Sequence, residues 1–387
     1  MGNESLLASV KPSKAIVNLA IPATLALLAK AVYNIVDTAY IGMLNSDTAL
    51  AAVGVTLPLL LIMVSIENIF AAGAGVLAGR QLGERNNEEA NRTVTTIVGF
   101  SIMVGIGLCI VGLLSMEPLL RAFGASEAVL PQAKEYAFWM FIAALFNLPA
   151  QSLNCAARAE SSVKISSIAV ITGAALNVVL DPVFMFSWGL NMGVEGASLA
   201  TTISQCITFI ILAVFYLGGF SILKIKRKYF RLSADFIWSV VSIGIPTAVI
   251  QICLAVATSL TNVAAKSLPD SDLIIAAYGV VQRLVLIGCY VIMGFMQGYQ
   301  PVASYAFGAK NKERFFASAK FALKGSLLLT AAVELLYIVL SKPLILLFNR
   351  NPLVVEYGKW LLISQVALYL HIAKLNGRVC GAKRPHS

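Results

Sequence analysis

Charge is what this sequence has least of: Asp, Glu, Lys and Arg make up 12% of its 387 residues, where a soluble domain carries about a quarter. Together with 58% hydrophobic residues and a mean hydropathy of +0.82, that scarcity excludes an ordinary water-soluble globule. Histidine is almost missing. The two present, His371 and His386, fall in the last stretch of the chain, so no HExxH helix and no histidine of a Ser–His pair lies before them, and histidine-based catalysis is not expected. Cysteine pairs are missing too. Cys109, Cys155, Cys206, Cys253, Cys289 and Cys380 form no CxxC motif and five of them lie in apolar stretches, so neither a metal site nor a disulfide framework is expected. No cleavable signal peptide is expected either. The first apolar run, from about Ala15, carries Lys30 and Asp37 and is too long for one.

What is present in abundance is long apolar runs. A helix needs about 20 apolar residues to cross about 30 Å of hydrocarbon. Ten such segments occur, centred near Leu28, Ile62, Met103, Ala143, Ala174, Thr208, Ile250, Ile287, Leu329 and Ile363. Runs of this length satisfy their backbone hydrogen bonds as helices, not as barrel strands. The net charge of +10 is gathered in short clusters between these runs, the pattern of cytoplasmic loops facing anionic lipid; a nucleic-acid partner is not expected. Of the 29 lysines and arginines, 21 fall on the N-terminal side of the alternating segments and 6 on the other, which predicts a cytoplasmic N-terminus.

The chain also repeats itself. ALAAVGV and GRQLGERNNEEANR within residues 49–92 return as IIAAYGV and SYAFGAKNKERFFASAK within 274–320. Gly54 matches Gly279, Gly83 matches Gly308, Asn86 matches Asn311 and Glu88 matches Glu313, all at an offset of 225. Six segments separate equivalent points, so the two repeats insert in the same sense, related by an axis along the membrane normal. The fold class expected is an all-α polytopic membrane protein of two parallel six-helix repeats, the second incomplete, with about 10 transmembrane helices. Residues 1–220 form the N-lobe, 221–235 a basic cytoplasmic linker, 236–370 a four-helix C-lobe and 371–387 an atypical tail. A full second repeat would run to about residue 445 by the same offset, whereas the apolar pattern stops near Ile372; a truncation or frameshift is the expectation.

An ionisable group at bilayer depth costs about 2.5–3.5 kcal/mol on insertion scales, so each calls for a role. They are Lys30, Asp37, Glu67, Asp181, Arg283 and Glu334. Asp37 has Tyr33 one turn before it on the same face. Asp181 has Asn177 one turn before it, and Pro182 after it removes a backbone donor. Each face thus offers a carboxylate and a neutral polar companion, as a proton or Na⁺ site requires. The alternatives are that each aspartate caps a broken helix or pairs with Lys30 or Arg283.

NIVDTAYIG on the first segment, LNVVLDPVFMF on the fifth, GVEGASLATTIS on the sixth and the repeated loop GERNNEEANR resemble the multidrug and toxic compound extrusion (MATE) family, over about residues 11–370. The resemblance implies two six-helix lobes, alternating access, and export of organic cations and drugs driven by H⁺ or Na⁺. It places the coupling network at Tyr33, Asp37, Asn177 and Asp181, with Thr201, or else Thr202, as the sixth-segment threonine. A possible Na⁺ would lie at Asp37, Asp181 and Asn177. Another branch of the family uses an acidic residue on the seventh segment; here IPTAVIQICLAVATSLTN has Gln251 and no carboxylate, which favours coupling in the N-lobe.

The function expected is therefore a cation-coupled antiporter exporting amphipathic organic cations or drugs. It has no cofactor beyond the coupling ion, and its substrate-binding residues are not assigned. It is expected as a monomer among the lipids of the plasma (inner) membrane. The alternatives are a lipid-linked precursor flippase, for whose cationic cleft only Lys30 and Arg283 are available, or a non-functional truncated transporter. An intramembrane protease using Asp37 and Asp181 is not supported by the residues around them.

Overall fold

The computed structural model describes residues 7–44, 46–266, 271–348 and 351–365. The expected tail 371–387, with both histidines and Cys380, lies outside the described residues, as does the side chain of Gln251. Among the described residues there are helices and turns but no strand. In chain order the helices are α1 (Pro12–Met43), α2 (Asp47–Gly83), α3 (Asn87–Leu114), the short α4 (Met116–Ala122), α5 (Leu130–Ala159), α6 (Val163–Met185) and α7 (Val194–Leu217). After a 3₁₀ turn at Arg227–Tyr229 come α8 (Ala234–Lys266), α9 (Ser271–Gly308), α10 (Lys312–Val339), the short α11 (Ser341–Leu346) and α12 over 352–365.

Eight of them, α1, α2, α3, α5, α6, α7, α9 and α10, are long and apolar enough to cross a bilayer. They coincide with eight of the ten expected segments. The seventh is α8, whose described apolar stretch is Ala234–Ile250, and the tenth begins in α12. The protein is thus an all-helical, multi-pass membrane protein. Prolines fall inside α1, α2, α5, α6, α8 and α9, as neighbouring helices in a membrane permit.

Two compact units interleave along the chain: Met1–Cys253 with Gly294–Ala319, and Leu254–Met293 with Lys320–Ser387. In the first unit α5 is the hub. Its apolar window is 72% buried, against 28–39% for α1, α2, α3, α6 and α7. Alanines at 133, 137, 144, 150, 156 and 157 along α5 are almost wholly covered, and small side chains let neighbouring backbones close in. Gly105 of α3, for example, lies against the Ala144 carbonyl. Gly75 and Gly79 on α2 serve the same end, against Cys155 and Ser304. In the second unit Val281, Leu284, Tyr337, Ile345 and Leu362 form the apolar centre.

The internal repeat is visible atom by atom where α2 and α9 end. Arg85 and its mate Lys310 both take a left-handed backbone, at φ 59° and 54°. Asn86 then caps α3 by accepting the Glu89 N–H at 3.1 Å, and Asn311 caps α10 by accepting the Arg314 N–H at 2.9 Å. Side-chain oxygens at an N-cap satisfy a donor that the helix leaves free, which is why these polar residues recur.

The basic stretch 221–235 packs into the first unit. The buried Glu160 carboxylate, just past α5, accepts the Ser221 hydroxyl at 2.8 Å and the Ile222 and Leu223 N–H groups at 3.0 and 3.1 Å. The Lys224 N–H donates to Asn91 and the Arg231 N–H to Thr96, both on α3. Burial pushes the Glu160 carboxyl above the usual glutamate range, and these donors offset part of that rise.

Candidate functional site

Asp181, next to Pro182 near the end of α6, has no exposed surface. One helical turn back, the Asn177 side-chain amide donates to Asp181 Oδ1 and to Thr201 Oγ1 on α7, each at 3.1 Å. The i, i+4 spacing that suggested the pair in sequence is what lets one amide bridge two helices. Pro182 leaves the Val178 carbonyl without its helical donor, while the chain turning back at 189–193 satisfies the carbonyls of Val183, Phe184 and Met185.

Thr201 and Thr202 part company here. The Thr202 hydroxyl donates to the Trp139 and Ser198 carbonyls at 2.9 and 2.8 Å, so it fastens α7 to α5. Thr201 is the threonine that meets Asn177.

Asp37 is half-buried on α1 and lies within electrostatic reach of Asp181. Neither aspartate forms an ion pair among the described residues, so the expected alternative of a pairing with Lys30 does not occur. Three acceptor oxygens, Asp37 Oδ1, Asp181 Oδ2 and Asn177 Oδ1, are enclosed without a donor among the described residues. Unanswered buried acceptors cost about 1–3 kcal/mol each, more when charged. A proton or a small cation answers them. Tyr33 lies in the field of Asp37, Glu67 and Asp181. Asn34, by contrast, bonds back to the Lys30 carbonyl of its own helix at 2.9 Å.

Tyr33, Asn177 and Thr201 also line one end of a polar cavity with about 960 Å³ of free space, part of it open to the outside. Several further residues take places that the sequence did not assign. Tyr136 of α5 lies within reach of both aspartates; nothing in its local sequence distinguishes it from a packing aromatic. Glu67, 5% exposed, accepts the Asn147 amide at 2.5 Å and lies near Lys30. Arg158, one of the 21 cations on the N-terminal side, lines the cavity from the last turn of α5. Glu334, in the second unit, is 5% exposed. The aromatics Tyr40 and Phe186 stack edge to face at 5.9 Å, and Phe146 packs against Phe209 at 6.3 Å, as ordinary packing does.

This arrangement, two aspartates within electrostatic reach of each other next to residues that line a polar cavity, can be set beside known proteins. The model of the MatE family matches residues 22–183 and 246–376, which is most of the chain. The chain belongs to the MATE family. The multidrug export protein MepA of Staphylococcus aureus (strain N315) is 25% identical over 359 residues, covering 92% of this chain and 78% of MepA. A crystal structure of MATE in complex with MaL6 has the same fold, with a TM-score of 0.87 at 24% identity, over 95% of this chain and 80% of that one. A multidrug resistance MATE transporter of the MOP superfamily, in an outward-facing conformation, gives a TM-score of 0.86 at 25% identity over 94% and 79%. As a MATE protein the chain is a membrane transporter, and Asp37 and Asp181 both lie within the first matched segment.

Proposed function

We propose that this MATE chain exports amphipathic, cationic small molecules, drugs among them, in exchange for H⁺ or Na⁺. The likeness to a multidrug export protein supports the substrate class. One observation carries the coupling: Asp37, Asp181 and Asn177 together present three enclosed oxygens without donors. Filling the site with a proton or Na⁺ removes the repulsion between the two carboxylates and lets α1 approach α6 and α7. Emptying it favours the opposite arrangement, so the ion's gradient drives alternating access. Tyr33, Asn177 and Thr201 position the ion; Asp37 and Asp181 bind it.

In this reading residues 1–220 and 236–370 are the two lobes, joined by 221–235. The N-terminus is cytoplasmic, the membrane is the plasma (inner) membrane, and the unit of function is the monomer.

Dye uptake in inside-out vesicles tests the proposal. Imposed H⁺ or Na⁺ gradients are expected to drive accumulation in the wild type, and to fail in Asp37→Asn and Asp181→Asn. Uptake that matches protein-free vesicles, with the wild type shown to be inserted, sinks it.

A further inference from the structure

The charges lining the cavity are both positive. Lys30 and Arg158 face it, and no carboxylate is among its lining residues. Lys30 has Glu67 near it. Arg158 has no carboxylate within ion-pair distance among the described residues. A guanidinium carries five N–H donors. One of these goes to Asn154 Oδ1 and one to Cys155 Sγ, at 2.7 Å for the latter, while Nε is enclosed without an acceptor.

The guanidinium is also held in place. Asn154, its partner, accepts the Ser166 hydroxyl of α6 at 2.9 Å and donates to the Ser166 carbonyl at 3.4 Å. This fixes the fork against two helices at once. Complementing the α5 carboxyl end needs only a cation near the last turn; it does not require one aimed into a cavity, oriented by a neighbouring helix and left without an acid.

We infer that Arg158 forms an anion subsite, and that the cationic amphiphiles this cavity takes include zwitterions bearing an oxyacid group: a carboxylate, a sulfonate or a phosphate. Guanidinium binds such groups through two parallel hydrogen bonds. Eleven residues of α6 separate Ser166, beside Arg158, from Asn177, beside Asp181. At 1.5 Å per residue that is about 16 Å, room for an acid at one end and an amine or apolar body towards the other. The inference deepens the export reading and rests on it for transport, though not for binding.

Three dansyl amphiphiles that differ only in the end group, a carboxylate, its carboxamide and a quaternary ammonium, provide the test. Each is titrated against the full chain in nanodiscs and followed by fluorescence anisotropy. The wild type is expected to bind the carboxylate about tenfold more tightly than the carboxamide, the range of one charge-assisted hydrogen-bonded pair. Arg158→Gln removes that preference and leaves the ammonium probe unchanged, while Arg158→Lys keeps part of it. Equal affinity of the wild type for acid and amide overturns the subsite, whether or not the variants fold. A preference that survives in Arg158→Gln overturns it as well. Competition by phosphatidic acid in the nanodisc would identify a lipid phosphate as the source of the acid; lack of competition points to a free amphiphile. If acid binding stands while no probe is taken up by energised vesicles, the export reading fails and the subsite remains.

Discussion

Gly83, at the end of α2, presses against the Tyr305 carbonyl of α9, and Gly308, at the end of α9, presses against the Arg80 carbonyl of α2. Gly83 and Gly308 are mates in the internal repeat, and so are Arg80 and Tyr305, all 225 residues apart. The contact is therefore reciprocal about a local two-fold axis, as two repeats inserted in the same sense require. The glycines recur because a side chain at either place would overlap a backbone carbonyl.

That reciprocity makes a prediction with its own control. Gly83→Ala and Gly308→Ala should each destabilise the protein by about 1–3 kcal/mol, the usual range for overpacking. Gly54 and Gly279 are also repeat mates, yet a β-carbon at either meets nothing within 4 Å. Alanine there should be neutral or stabilising by about 0.5–1 kcal/mol through helix propensity. Thermal unfolding in detergent reads all four. Equal effects at the two pairs would mean that the close approach is not what selects glycine.

The two threonines of α7 should behave differently. Thr201→Ala and Asn177→Ala disrupt the bridge to Asp181 and are expected to weaken gradient-driven uptake by about tenfold, the value of one lost hydrogen bond near a charge. Thr202→Ala frees a bond between α7 and α5, and should lower the melting temperature with little effect on the ion dependence of transport. Coupling lost in Thr202→Ala and kept in Thr201→Ala would reverse the assignment.

Much of this was legible in the sequence because membrane burial simplifies the code. Apolar run length marks eight helices, and polar residues inside such runs stand out, which is how Asp37, Asn177 and Asp181 could be found with Tyr33. The repeat was legible through loop residues whose roles are local: Asn86 and Asn311 as caps, Gly83 and Gly308 as contact points. What stayed hidden depends on which helices meet. Tyr136 becomes part of the site only because α5 is the hub, and that role arises from its alanines packing on several neighbours. The place of Arg158 stayed hidden because charge placement along a sequence says which end of a helix a cation occupies, not what it faces. Thr201 and Thr202 differ by 100° around α7, and only the position of α6 decides between them.

Glu67 and Asn147 form a second polar link, from α2 to α5, next to Lys30. Glu67→Ala leaves a buried amide and a cation unanswered, and is expected to cost about 1–3 kcal/mol of stability. Glu67→Gln keeps an acceptor for Asn147 and should cost less. Melting temperatures of the two variants check the order; an alanine variant as stable as the wild type would show that the link contributes nothing.

Glu160 yields a pH dependence outside the membrane spans. Its carboxyl is buried, and burial raises its pKa above the ordinary glutamate value of 4.5 despite the Ser221 hydroxyl and the Leu223 N–H. The folded chain therefore holds this proton more tightly than the unfolded chain does. Its contribution to stability is fully present below the unfolded value and is lost as pH rises through the higher folded value. Glu160→Gln stays neutral throughout, so the difference in melting temperature between wild type and variant should shift in the variant's favour as pH rises from about 4.5. Because Ser221, Ile222 and Leu223 open the basic stretch 221–235, the same titration should loosen its hold on the first unit at higher pH. Amide hydrogen exchange at Ile222 and Leu223 measures that directly. Faster exchange with rising pH, beyond the intrinsic dependence seen in Glu160→Gln, is the expected result; slower exchange would mean that the ionised carboxylate grips its donors more strongly than burial opposes it.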